Sequence, residues 1–137
     1  MVNSIVKEWQ GTRALLAGLV LALVGGLLIG GSLPLAVGLV AQPWDKVAHV
    51  VVFAVLACAI GLASRREGVT MLVVGFAGAM LIGGADELLQ MWTPGRQADL
   101  DDLLADAVGA ALGTLPLAVR VHLHQLARIH DHPLSSG

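Results

Sequence analysis

A chain of 137 residues that is 56% hydrophobic and only 13% charged, with a mean hydropathy of +0.80, is too apolar for a small water-soluble domain. It reads as an integral membrane protein forming one domain. A formal net charge of -2 gives no global basic surface, so nucleic acid is excluded as a partner. The lone Cys58 has no cysteine to pair with, which excludes an internal disulfide and leaves it as a packed small residue.

About 20 mostly apolar residues are needed to cross a hydrocarbon core of about 30 Å. The first such window covers residues 14–31, and a less regular segment, SLPLAVGLVAQP, continues to Pro43. Lys7 and Arg13 precede it as they would a signal peptide, but Leu39 and Ala41 make a poor small-x-small pair. The run is therefore read as a retained span. The second window covers 45–63 and is closed by SRREG, the third covers 69–90, and the fourth covers 100–120. The expected fold is an all-α, four-helix membrane bundle comprising the whole of 1–137, with 121–137 as a cytoplasmic tail.

If the four spans alternate, Lys7, Arg13, Arg65, Arg66, Arg120 and Arg128 fall on one side and only Lys46 and Arg96 on the other. The excess of basic residues predicts cytoplasmic N- and C-termini and a location in the cytoplasmic (inner) membrane. Trp44 and Trp92 then sit at the outer interface and Trp9 near the inner one.

Helices in lipid pack where small residues allow close approach. Ala14, Gly18, Ala22, Gly26 and Gly30 form such a stripe on the first span. Gly75, Ala79 and Gly83 form one on the third that leads to Glu87, and Asp102, Asp106, Gly109 and Gly113 share a face of the fourth. The acids are thus expected where the bundle closes, away from lipid.

Ionisable residues inside a membrane are expensive, by about 2.5–3.5 kcal/mol at mid-helix, so a concentration of them calls for a reason. Asp45 and His49 share a face of the second helix, with Lys46 between them. Glu87 and Gln90 end the third helix, and Pro94-Gly95 turns the chain at Arg96. Capping explains Asp45, and snorkelling explains Lys46; neither explains His49, one turn deeper. Asp99 is placed as the N-cap of the fourth helix with Asp102 at N3, Asp101 facing water, and Asp86 as an interface charge.

These residues resemble the VanZ-like membrane proteins: Asp45-Lys46-Val47-Ala48-His49 opens one span, Glu87-Leu88-Leu89-Gln90 closes the next, and Pro94-Gly95-Arg96, Asp102 and Asp106 follow before Gly109 and Gly113. The resemblance runs from Pro43 to Gly113. Asp106 departs from it, because the family more often has Asn there. What the resemblance implies is a cell-envelope role, with a link to resistance to the glycopeptide teicoplanin.

Chemically, the constellation fits a membrane-embedded hydrolase or transferase acting at the outer leaflet on an anionic lipid or lipid-linked substrate. In that reading His49 with Asp45 is the general acid or base, Glu87 its complement, and Asp102 part of the same catalytic group. Lys46 and Arg96 hold the anionic head, with Gln90 and Asp106 on the binding side. Thr93 is the nearest hydroxyl, so an activated water or substrate hydroxyl is the economical nucleophile. The same residues also suit a noncatalytic protein that binds an envelope lipid or an amphipathic antibiotic. A divalent metal on His49, Glu87, Asp102 and Asp106 is a secondary reading, and the cofactor is otherwise open. A midplane transport path would require a homo-oligomer. In the tail, His122 and His124 are two residues apart and point to different sides of a helix, so an interfacial helix that frays after Asp131 is expected there.

Overall fold

The computed structural model describes residues 2–30, 33, 40–95 and 98–131, with side chains for 10–30, 33, 40–95 and 98–129. Its elements are α1 (Val2–Gly25), which passes at a Gly-Gly pair into a π-helical turn (Gly26–Gly30), then α2 (Trp44–Ala63), α3 (Gly68–Gln90) and α4 (Leu100–Asp131). Each contains a stretch long and apolar enough to cross a membrane: Gln10–Gly30, Trp44–Ala63, Gly68–Gln90 and Leu100–Ile129. The protein is an all-α, multi-pass membrane protein built as a four-helix bundle.

α4 runs on past Arg120, where the expected span ended, to Asp131. From Val121 to Asp131 the chain has neither glycine nor proline, so nothing stops the helix; even Pro116 is accommodated inside it. At 32 residues and about 1.5 Å per residue, α4 is about 48 Å long and overhangs a bilayer core by several turns.

α2, α3 and α4 pack closely on one another, α2 most extensively on α4, and α1 lies against α2. The buried centre is narrow: Phe53, Leu56 and Ala57 from α2, Ala79 from α3 and Ala110 from α4. Such small side chains work only if backbones come close. A Cβ on Gly109 would run into the Val50 carbonyl, one on Gly113 into the Ala54 carbonyl, and one on Gly75 would lie 2.5 Å from the Ala57 carbonyl. Two glycine faces therefore press α3 and α4 onto α2. Outward, Val51, Val55, Val73, Leu81, Val108 and Leu112 present the apolar surface that lipid covers.

The stripe of α1 behaves differently from the expectation. Ala14, Gly18, Ala22 and Gly26 are exposed, and a Cβ on Gly18, Gly26 or Gly30 would meet nothing within 4 Å among the described residues. α1 instead packs against the core through Val20, Leu23 and Val24, and the π-helical turn through Leu27. The segment SLPLAVGLVAQP lies largely outside the described residues.

Candidate functional site

Three helix ends meet at one end of the bundle: the start of α2, the end of α3 and the start of α4. Asp99 precedes α4 and accepts the Asp101 N–H on Oδ1 at 2.9 Å, the N-cap bond expected of it, with Asp102 at N3. Asp102 does not reach back to the N-cap N–H as in a capping box. That N–H goes to Glu87 Oε2 on α3 at 2.7 Å, so α3 supplies the reciprocal half of the cap. The other Glu87 oxygen is buried without a hydrogen-bond partner among the described residues, and Glu87 as a whole is 8% exposed.

Lys46, in the first turn of α2, crosses to α4. Its Nζ donates to Asp99 Oδ2 at 2.8 Å and to Asp102 Oδ1, and lies 3.8 Å from Asp45 Oδ2. The ammonium and the Asp101 N–H together hold the Asp99 carboxyl below its ordinary value, the lysine hydrogen bond being the larger cause. Asp45 makes no side-chain cap; α2 has Pro43 at its N-cap, and Asp45 Oδ1 is buried without a hydrogen-bond partner among the described residues.

One turn deeper, His49 Nδ1 and Asp106 Oδ1 are 2.7 Å apart, with the His49 side chain 16% and that of Asp106 1% exposed. The imidazole is stacked on Phe53, four residues on, with ring centroids 6.1 Å apart and planes within 4°. Ring plane and Nδ1 are thus both fixed, by α2 below and α4 across. Space for Asp106 exists because residue 83 is glycine: a Cβ there would lie 2.7 Å from Asp106 Oδ2 and 3.1 Å from Phe53. When Asp106 accepts the Nδ1 proton, Nε2 is left as the proton acceptor of a neutral imidazole.

Asp86 is 2% exposed and accepts a 2.8 Å hydrogen bond from Gln90 Nε2, so it is a buried member of the cluster and not an interface charge. Its i, i+4 relation to Gln90 was the available signal. Thr93 is 7% exposed and donates to the Leu89 carbonyl, a turn-closing bond. Asp101 is exposed, as are Trp44 and Trp92 at this same end. Arg96 lies outside the described residues.

The structure therefore brings Lys46, Asp99 and Asp102 into one tie, His49 and Asp106 into another, and Glu87 against the α4 cap. It does not pair His49 with Asp45, although they share a helix face. Nor do His49, Glu87, Asp102 and Asp106 converge on one point: among the described residues no three His, Cys, Asp or Glu side chains are arranged to hold a metal ion.

No curated protein and no solved structure matches the chain. The family model for VanZ/LLP1 matches residues 4–120, which takes in the first three spans, the fourth as far as Arg120, and every residue of the polar end. A membrane bundle with this cluster at the mouth of three helices, matched over most of its length, belongs to the VanZ/LLP1 family.

Proposed function

We propose that this is a cell-envelope protein of the cytoplasmic membrane. Both termini are cytoplasmic, the His49 end faces outward, and that end acts by acid/base chemistry on an anionic-headed lipid or lipid-linked envelope substrate. The observation that carries this is the His49–Asp106 pair: a histidine oriented by a buried carboxylate and a stacked ring, with its second nitrogen left for proton transfer. His49 is the base or acid, Asp106 positions it, and the second oxygen of Glu87 is the complementary group. Lys46 receives the anionic head by exchanging the more exposed Asp99 for it while Asp102 stays, and Arg96 supplies a second cation. Asp45 and Gln90 shape the mouth. The role we propose includes altered susceptibility to teicoplanin, which is what the resemblance to VanZ-like proteins implies.

A noncatalytic reading is favoured by one observation: Lys46, His49 and Glu87 are each already tied to a carboxylate or a backbone N–H, as in a scaffold that presents a binding face. Here the cluster binds an envelope lipid or an amphipathic antibiotic without converting it.

Turnover separates the two. Purified protein is incubated with envelope lipid extracts, and the products are read by mass spectrometry. His49→Ala and Glu87→Gln proteins that insert normally are expected to lose product formation by 100-fold or more, about the contribution of a general acid or base. Binding without product in the wild type assigns the noncatalytic role.

A further inference from the structure

α3 meets the His49 site at a position that has no side chain. Gly83 lies one turn before Glu87, and helical spacing sets it in the same packing stripe as Gly75 and Ala79. What the glycines of α3 face differs. A Cβ on Gly75 would lie 2.5 Å from the Ala57 carbonyl, one on Gly78 would lie 3.1 Å from the Ile60 side chain, and one on Gly84 would meet nothing within 4 Å among the described residues. Of these four, Gly83 alone faces an ionisable group: its Cβ would lie 2.7 Å from Asp106 Oδ2 and 3.1 Å from Phe53 Cε1. Gly75 spaces two backbones, whereas Gly83 bounds a carboxylate.

That carboxylate is the one that orients His49. Asp106 Oδ1 stands 2.7 Å from His49 Nδ1, and Oδ2 is buried in the corner between the Gly83 backbone and the Phe53 ring. Phe53 in turn stacks on the imidazole. Glycine backbone, carboxylate, imidazole and phenyl ring are therefore one contiguous unit drawn from three helices. Ordinary carbon contacts lie at about 3.5–4.0 Å, so a methyl group at position 83 would displace Oδ2 by roughly 0.8 Å or more. The two oxygens of a carboxylate move as one rigid group, and Oδ1 would leave Nδ1 with them. A shift of that size carries the bond beyond the usual limit of about 3.2 Å. Without an acceptor fixed at Nδ1, the imidazole has no set tautomer.

We infer that Gly83 is a positioning residue of the His49 site: by lacking a side chain it lets Asp106 Oδ1 sit on Nδ1, and so keeps Nε2 as the proton-accepting nitrogen. Its effect on turnover rests on the acid/base reading of His49, while its effect on the imidazole is read without any substrate.

The test uses full-length protein in detergent with ring-nitrogen-labelled histidine, the His49 signals being those lost in His49→Gln. Gly83→Ala is expected to move them from the Nδ1-protonated form to a mixture of tautomers. With envelope lipid extract as substrate, it should lower turnover by up to about 100-fold with KM little changed. Two other glycines of α3 are the controls. Gly84→Ala should leave signals and turnover unchanged, and Gly75→Ala should lower the melting temperature through the Ala57 carbonyl while the His49 signals stay as in the wild type. If Gly83→Ala does not insert, Gly83→Ala with Phe53→Leu, which takes away the Cε1 contact, is compared with Phe53→Leu alone, and the same shift is expected. Unchanged His49 signals in the position-83 variants overturn the inference, and so does an equal shift in Gly75→Ala, which reduces Gly83 to a packing residue. With no product from the wild type the acid/base reading fails, and the ring signals still decide for or against Gly83.

Discussion

Truncating Asp106 to alanine removes the group that orients His49. The carboxylate is 1% exposed and gives Oδ1 to His49 Nδ1 at 2.7 Å. A hydrogen bond with a charged partner contributes about 1.5–3 kcal/mol, and breaking a buried pair from one side costs about 3–5 kcal/mol because the remaining group is stranded. His49 stays 16% exposed and keeps some access to water, and Asp106 Oδ2 has no hydrogen-bond partner among the described residues, so its removal returns a little. The net loss expected for Asp106→Ala is about 3 kcal/mol. Asp106→Asn keeps an acceptor of the same length opposite Nδ1 and should cost about 1 kcal/mol or less. Denaturant unfolding in detergent, followed by tryptophan fluorescence, reads both values, and ring-nitrogen NMR of His49 reads whether the proton stays on Nδ1. Equal losses for alanine and asparagine, or a larger change in the His49 ring signals from Asp45→Ala than from Asp106→Ala, would refute the pairing.

Three further outcomes follow from the geometry. Asp99 is held below its ordinary carboxyl value in the folded protein, so its contribution to stability is present above the unfolded value, about pH 4, and lost as pH falls through the folded value. Tryptophan fluorescence during acid unfolding should report this transition, and Asp99→Asn should remove it. Gly113→Ala forces α4 off the Ala54 carbonyl and should destabilise by about 1–3 kcal/mol on thermal melting, whereas Gly18→Ala, with nothing within 4 Å, should leave the melting temperature unchanged or raised. For topology, with Cys58 replaced by serine, a cysteine at Trp92 should react with an impermeant maleimide on intact cells and one at Ile129 only after permeabilisation; the reverse pattern would invert the proposed orientation.

What the sequence determined by itself was the class of protein, because apolar length is a local property: four windows of sufficient hydropathy predict four crossing helices whatever their packing. It also located the polar end. Helical spacing alone put Glu87 after Gly75, Ala79 and Gly83, and Asp106 beside Gly109 and Gly113, and these residues are buried on their shared faces. The N-cap role of Asp99 was equally local and was readable for the same reason.

Only the tertiary structure decided which groups touch. Periodicity made Asp45 the natural partner of His49, one turn away on the same helix, but the partner comes from α4, because glycines at 83, 109 and 113 let helix backbones approach closely enough for Asp106 to cross. For the same reason Lys46 answers Asp99 and Asp102, and Glu87 caps a helix it does not belong to. The small-residue stripe of α1 shows the converse. Spacing identifies a face on which helices are able to pack closely, but whether a neighbour occupies it depends on the arrangement of all the helices, and in this bundle that face is exposed.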